Sequence, residues 1–350
     1  MDFGGAYRGA RVFVTGDTGF KGSWLCAWLD ALGAEIVGYA LPPEGEDPLF
    51  DRMNLAERIR HTDGDLRDAD ALADAMKDAE ADIVFHLAAQ SLVLRGHREP
   101  KETFDTNVGG SVNLLEAVRA LPDIRGLVFV TSDKCYENQE RSAGYREDDR
   151  LGGDEPYSAS KAAAEIVFNA YAHSYFDARD GFGAVSVRAG NVIGGGDWAE
   201  DRIVPDCIRA LRDGKPVGLR RPDAVRPWQH VLDPLAGYMT LGARLLAGEA
   251  ITGGWNFGPS EDDIRPVGEL AQKVVDCWGE GEIENLATRN APHETTLLFL
   301  NSDKAIAELG WRPRWRFDEA VAQTVGWYRS VGGGEDASAV TERQIADYAG

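Results

Sequence analysis

The 350-residue chain is poor in cysteine, and the few it has form no pattern: Cys26, Cys135, Cys207 and Cys277 are widely spaced and make no C-x-x-C pair. Scattered thiols of this kind point to a reducing cytoplasm rather than to a disulfide framework. Long apolar runs are also missing. No stretch approaches the roughly 20 consecutive apolar residues that a membrane helix needs. Met1 to Ala10 carries a single Arg, several Gly and no apolar run, which argues against a signal peptide. No spaced His/Cys/carboxylate cluster suggests a metal, and there is no internal repeat or low-complexity segment. Positive charge is in deficit: 37 basic against 58 acidic side chains leave a formal net charge of −21. That balance repels a phosphate backbone and makes nucleic acid a poor partner. An anionic small substrate needs only a few arginines focused in one cleft.

What is present is a strand–helix alternation. Apolar runs of strand length occur at Arg11–Thr15, Glu35–Tyr39, Ile83–Leu87, Leu127–Thr131 and Ala184–Arg188, with helical patterns at Lys21–Leu32, Asp68–Lys77, Thr103–Leu121 and Tyr157–Phe176 between them. Strands rich in Val, Ile and Phe, each followed by a helix, predict an α/β fold with a doubly wound parallel sheet. After Arg188, Gly, Pro and Arg become frequent and the alternation is lost, which predicts a smaller, loop-rich lobe closing over the sheet. Gly332-Gly333-Gly334 marks the start of a tail expected to be loosely packed.

Two constellations carry chemistry. Thr15-Gly16-Asp17-Thr18-Gly19-Phe20-Lys21-Gly22 spaces its glycines by three between the first strand and the first helix. Missing Cβ atoms let the backbone turn sharply against a pyrophosphate, and the helix start supplies N–H groups and partial positive charge. This predicts a dinucleotide cofactor. The acidic residue that usually contacts the adenosine ribose should end the second strand, where Tyr39-Ala40-Leu41-Pro42 has neither carboxylate nor arginine, so NAD and NADP both stay open by that test. Asp65 is a candidate for an adenine contact, with a turn or N-cap aspartate as the alternative. The second constellation is Tyr157-Ser158-Ala159-Ser160-Lys161, the only Tyr-x-x-x-Lys in the chain. On a helix these two share one face. The ammonium is expected to lower the pKa of the phenol, which then takes a proton from a substrate hydroxyl. Upstream, Ser132-Asp133-Lys134 follows an apolar strand, at the sheet edge where doubly wound folds bind ligands.

These residues resemble the extended short-chain dehydrogenase/reductases that modify nucleotide sugars, and within them the CDP-glucose 4,6-dehydratases. The likeness is carried by Gly19-Phe20-Lys21-Gly22-Ser23-Trp24-Leu25, Ser132-Asp133-Lys134-Cys135-Tyr136-Glu137-Asn138, Gly144-Tyr145-Arg146-Glu147, Leu151-Gly152-Gly153, Arg188-Ala189-Gly190-Asn191-Val192-Ile193-Gly194-Gly195-Gly196-Asp197-Trp198 and Arg226-Pro227-Trp228-Gln229-His230-Val231. It runs from about Arg11 to Trp315.

The resemblance implies a Rossmann-type domain over 1–188, rejoined by about 228–256. A smaller mixed α/β nucleotide-sugar lobe takes 189–227 and 257–335, leaving 336–350 as the tail. It implies Ser132, Asp133, Lys134, Tyr157 and Lys161 as catalytic residues. The cofactor, NAD, is expected against Gly16, Thr18, Gly19, Phe20, Lys21, Asp65, Leu66, Leu87, Ala88, Ala89 and Asn107 as well as Tyr157 and Lys161. A nucleotide-diphosphate hexose calls for local cations: Arg226 is the candidate phosphate clamp, with Asn191, Arg202 and His293 as further substrate contacts, and Arg221 read as a surface residue. Trp198 and Trp228 either flank a base or pack between lobes, and His86 is read as structural. The implied reaction is an internal redox cycle. Tyr157 takes the 4-hydroxyl proton, Lys134 the C5 proton, and Asp133 protonates the departing 6-hydroxyl. A lysine base must be neutral, which requires a dry site or a neighbouring cation. A homodimer through the helices 103–121 and 157–176 is also implied. The chain departs from the family pattern at Asp17, where histidine is usual, and at 139–143, which lacks tryptophans. The rival is a nucleotide-sugar 4-epimerase or ketoreductase of the same fold, but epimerisation needs no acid at C6, so Asp133-Lys134 speaks against it. A non-catalytic NAD(P)-sensing protein would normally have lost Tyr157 or Lys161.

Overall fold

Because Val12–Val14, Ile83–Phe85, Leu127–Val130 and Ala184–Val187 are apolar on nearly every residue, their strands can be buried on both faces, and all are. In the structure, a computed structural model describing residues 1–45, 47–286 and 297–350, they form the middle of a seven-stranded sheet. Its order is Thr252–Asn256, Gly183–Arg188, Gly126–Val130, Ile83–His86, Arg11–Thr15, Glu35–Ala40 and Arg60–Asp63, with every pairing parallel. Chain order reverses between Arg11–Thr15 and Ile83–His86, which opens a crevice at the carboxyl edge. Helices cover both faces. Leu72, Met76, Leu114, Leu115 and Phe168 line one core. Trp24, Trp28, Leu235, Val325 and Val340 line the other.

Beyond the sheet, short strands pair locally: Val192–Ile193 with Gln229–His230, Val217–Leu219 with Ile283–Asn285, and Val225–Pro227 antiparallel to Ile264–Pro266. The helices Ile203–Arg212, Val267–Trp278 and Phe317–Gly332 pack around them.

Two expectations are corrected. The pattern over 103–121 is not one regular helix but Pro100–Phe104, a wider π-helical turn Asp105–Gly109, and Gly110–Ala120. The turn holds Asn107, whose amide accepts from the Gln90 N–H at 2.8 Å and donates to the Gln90 carbonyl at 2.9 Å and the Ser160 hydroxyl at 2.9 Å. The tail is not loose. Asp336 accepts from the Ala339 N–H and caps a helix, Ala337–Ala349, which buries Val340, Ile345 and Tyr348. Tyr348 stands edge-on to Trp28 at 5.7 Å and donates to Asp233 at 2.7 Å.

Candidate active site

The glycine turn is built as its sequence predicts. Gly16 has a φ of 77°, and a Cβ there would lie 2.6 Å from the Ala88 nitrogen; one on Gly22 would lie 1.9 Å from the Gly16 oxygen. No side chain caps the helix Phe20–Ala31 that follows, so its first amides are left for an anion. Ala88 donates to the Thr15 hydroxyl at 3.2 Å, which brings the 87–89 segment against the turn. These features fit a dinucleotide pyrophosphate. Thr18 donates to the Leu41 carbonyl at 2.9 Å. Asp65 is held in an ion pair with Arg67, which keeps its carboxylate below the usual range, and buried Leu66 accepts from the Asn113 amide at 2.8 Å.

Asp17, the residue out of pattern, is fully buried with one oxygen 2.6 Å from His61 Nδ1, and its other oxygen has no hydrogen-bond partner. Hydrogen bonding to Asp17, opposed by burial and helped by Asp63, raises the His61 pKa. The His61 ring is therefore the partner of this unusual aspartate.

Tyr157 is placed by its own helix start. Glu155 accepts from the N–H groups of Tyr157 and Ser158, both at 2.8 Å, and Pro156 opens the helix Pro156–Tyr171. Across from it, the strand Gly126–Val130 runs out through Thr131 and Ser132 into the turn Asp133–Cys135. The Ser132 hydroxyl donates to Asp133 Oδ1 at 2.9 Å and accepts from the Lys134 N–H at 3.2 Å, and it lies near enough to Tyr157 to pull its phenol down. Asp133 fits because position 190 is glycine: a Cβ there would sit 1.9 Å from its Oδ2. Burial raises the Asp133 carboxyl despite the opposing Lys134, Ser132 and Lys21, so it holds a proton to higher pH than an exposed aspartate.

The expected lowering of the phenol is not what this arrangement produces. Burial pushes Tyr157 up to about 12, Asp133 and Glu155 push the same way, and Ser132 and Arg202 pull it back. Desolvation outweighs the cations at this site. It acts on the lysines in the opposite sense: Lys161 is lowered to about 8 by burial against Glu165, and Lys21 to about 8 by burial together with Arg202 and Lys161, opposed by Asp133 and Asp197.

Among the substrate candidates, Arg202 pairs with Asp197 at 2.9 Å while its charge reaches Tyr157 and Lys21. Asn191 is left-handed, with a φ of 46°. Arg226 donates to the Val225 carbonyl at 2.8 Å, and His293 lies outside the described residues. Trp198 packs edge-on to Tyr328 at 5.0 Å, and buried Trp228 donates to the Arg265 carbonyl at 3.1 Å. His86 is buried at 2.8 Å from the Thr15 hydroxyl and lowered to about 3 by burial, as suits a neutral structural ring. Among the described residues no cluster of three His, Cys or carboxylate groups stands ready for a metal, and all four cysteines are free.

Sequence reading missed Glu165. It lies one helical turn beyond Lys161 and is fully buried with Arg188. The signal was there in the spacing, since Tyr157, Lys161 and Glu165 fall at i, i+4 and i+8 among alanines and serines.

Residues 12–251 match the NAD dependent epimerase/dehydratase family. The chain belongs to that family. It is 44% identical over 347 residues to the CDP-glucose 4,6-dehydratase of Salmonella typhimurium, covering 98% of this chain and 97% of that one. A dTDP-glucose 4,6-dehydratase from Streptomyces venezuelae, solved with NAD bound, superposes with a TM-score of 0.77 at 28% identity over 94% of this chain and 99% of its own. The UDP-glucose 4-epimerase of Thermus thermophilus in complex with NAD is similar to the same degree, with a TM-score of 0.77 at 29% identity over 91% of this chain and 99% of its own. Family membership and the parallel sheet agree, since dehydratases and epimerases share this fold. No helix among the described residues is long and apolar enough to cross a membrane.

Proposed function

We propose that the chain is an NAD-dependent CDP-glucose 4,6-dehydratase, converting CDP-D-glucose into CDP-4-keto-6-deoxy-D-glucose and water. The observation that carries this reading is the buried Asp133 carboxyl, hydrogen-bonded to Ser132 and near enough to Tyr157 to act on its phenol, because an epimerase has no use for a buried proton donor beside its tyrosine. Similarity to the Salmonella enzyme over nearly the whole chain supports the CDP-sugar.

The chemistry supplied by bound NAD would be redox: a hydride acceptor for C4 and, once reduced, a hydride donor for C6. The first amides of the helix Phe20–Ala31 hold its pyrophosphate, with Gly16, Thr18, Gly19, Phe20 and Lys21 at the turn. Asp65, Leu66, Leu87, Ala88, Ala89 and Asn107 line or support the same groove, and Lys161 reaches its ribose. The phenolic oxygen of Tyr157 would take the proton of the 4-hydroxyl once the positive charge of bound oxidised NAD, added to that of Arg202, offsets the burial that holds the phenol at about 12. Lys134 Nζ takes the C5 proton made acidic by the C4 ketone, and gives it back to C5 as hydride returns to C6. The Asp133 carboxyl, whose hold on a proton burial strengthens, gives that proton to the departing 6-oxygen, so that water leaves. Arg226 and Arg202 face the diphosphate, with Asn191 and His293 as further contacts.

The same reading assigns 1–188, rejoined by about 228–256, to the NAD-binding unit and 189–227 with 257–335 to the sugar-nucleotide lobe. Pairing of Thr252–Asn256 with Gly183–Arg188 supports the rejoining. It also makes the protein a cytoplasmic homodimer through the helical segments 100–120 and 156–176. Exposed Phe104, Ile166 and Tyr175 on those segments support the interface, and sedimentation velocity of the pure protein tests it.

The deciding experiment incubates the protein separately with CDP-glucose, dTDP-glucose, UDP-glucose and GDP-mannose. CDP-glucose is expected to lose one water by mass without added reductant. An unchanged mass with a new epimer overturns the dehydratase reading. Lys134→Met is expected to stop elimination yet permit the first oxidation, seen as accumulated reduced nicotinamide; normal turnover of that variant removes Lys134 as the base.

A further inference from the structure

The candidate site is assembled from three separate elements, and one buried side chain touches all three. Glu165 leaves the helix that carries Tyr157 and Lys161. Its Oε1 accepts from the Thr131 hydroxyl, next in sequence to Ser132, and from Arg188 Nε at 2.8 Å. Its Oε2 accepts from the Ser186 hydroxyl and from Arg188 Nη2, each at 2.8 Å. Arg188 ends the strand that leads to Gly190 and Asn191, and its third nitrogen donates to the Tyr136 hydroxyl and, at 3.0 Å, to the Glu147 carbonyl. Tyr136 in turn donates to Asn256 at 2.8 Å. Both carboxylate oxygens are thus satisfied inside a dry region, where a half-satisfied network would be costly.

We propose that Glu165 is the positioning residue of the active site: its carboxylate clamps the Tyr157–Lys161 helix to the strand ends bearing Ser132–Lys134 and Asn191 and, one helical turn from Lys161, favours the ammonium form of that lysine. This rests on Tyr157 and Lys161 being the proton-handling pair of the reaction above.

The electrostatic surroundings give the claim a direction. Lys161 faces Glu165 on its own helix, Cys135 from the turn after Gly126–Val130, His86 from the strand Ile83–His86, and Lys21 from the helix Phe20–Ala31. Of these, Glu165 is the buried carboxylate, and it opposes the desolvation that drives Lys161 toward neutrality. Tyr157 faces Ser132, Asp133, Arg202 and Glu155. Removing the charge of Glu165 therefore lets Lys161 lose its proton at lower pH, and the helix that carries Tyr157 then presents no ammonium to the cofactor ribose.

Glu165→Gln keeps the side-chain volume and removes the charge, but strands the Arg188 charge in the interior. The double variant Glu165→Gln/Arg188→Met removes the pair together and is expected to fold. Two readouts are taken on wild type and both variants: the NMR titration of isotope-labelled Lys161, assigned with Lys161→Met, and the pH profile of kcat and KM for CDP-glucose. The expected result is a Lys161 titration lowered by about one pH unit. The alkaline limb of kcat moves down with it, and KM changes by less than about twofold because the affected interaction is made in the transition state. Glu165→Asp restores part of the shift. A Lys161 titration at its wild-type position in the folded double variant, or a pH profile scaled down without moving, overturns the proposal. The titration needs no turnover, so it reads Glu165 even if the wild-type protein fails to dehydrate CDP-glucose, and failure of the two readings is told apart.

Discussion

Glu165 and Asp233 are both fully buried, and their surroundings drive them in opposite directions. Burial pushes Glu165 up, but Arg188, by charge and hydrogen bonds, outweighs it and the carboxylate ends below its usual range. Burial also pushes Asp233 up, and there the opposing partners are neutral: the Arg314 N–H at 2.7 Å and the Tyr348 hydroxyl at 2.7 Å. Asp233 is left at about 7, with Oδ2 unpartnered. Hydrogen bonds from neutral donors do not replace a cation in a dry interior. The region next to the catalytic helix carries a fully paired, permanently charged clamp. The region under the C-terminal helix carries a carboxyl that changes charge near neutrality.

Breaking the comparison at its strong end gives the largest effect. Arg188→Met leaves Glu165 buried without its cation, so denaturant unfolding at neutral pH is expected to show a loss of about 3–5 kcal/mol. The loss eases as pH falls and Glu165 takes up a proton. A variant as stable as wild type at neutral pH would show that the ion pair does not hold the helix to the sheet.

Asp233→Asn tests the other end. The folded pKa of about 7 lies above the ordinary value of 3.8, so the native state binds this proton more tightly than the unfolded chain does. Its contribution is present below about pH 4 and is lost as pH rises toward 7, a slope worth on the order of 4 kcal/mol in total. Thermal midpoints measured across that window should therefore decline less in Asp233→Asn than in wild type; parallel curves would refute the assignment. The smallest effect sharpens the contrast by loosening the cover. Asp336→Ala removes the cap of the helix Ala337–Ala349 and is expected to cost about 1 kcal/mol. Because that helix presents Tyr348 to Asp233, hydrogen exchange should rise in 337–349 and leave the Glu165 region untouched.

The same contrast marks how far the sequence could be read. The strands, the glycine turn and the Tyr157–Lys161 pair were legible because each depends on local periodicity or on contacts within one helical turn. The placement of Asp133–Lys134 at the sheet edge was legible because it follows directly on a strand end. The π-helical turn at Asp105–Gly109 was not, since it is imposed by Asn107 bonding to Gln90 and Ser160 from two other segments. The tail was misread for a related reason. Gly332–Gly334 does break the chain, but Asp336 starts a new helix whose apolar face has meaning only against Trp28 and Asp233. The acidity of Tyr157 was misjudged because spacing reveals the nearby cation and says nothing of how much water burial has removed.

By itself the sequence determined the parallel sheet, the glycine turn and the residue types gathered at the carboxyl edge of the sheet, because backbone sterics and side-chain spacing act over a few residues. Tertiary structure alone decided which charges face each other in the dry interior. Glu165 meets Arg188, and Asp17 meets His61, across distances in the chain that no local pattern encodes. The energy of a buried charge depends on what surrounds it in space, so that part of the protein's chemistry is settled only when the strands and helices have packed.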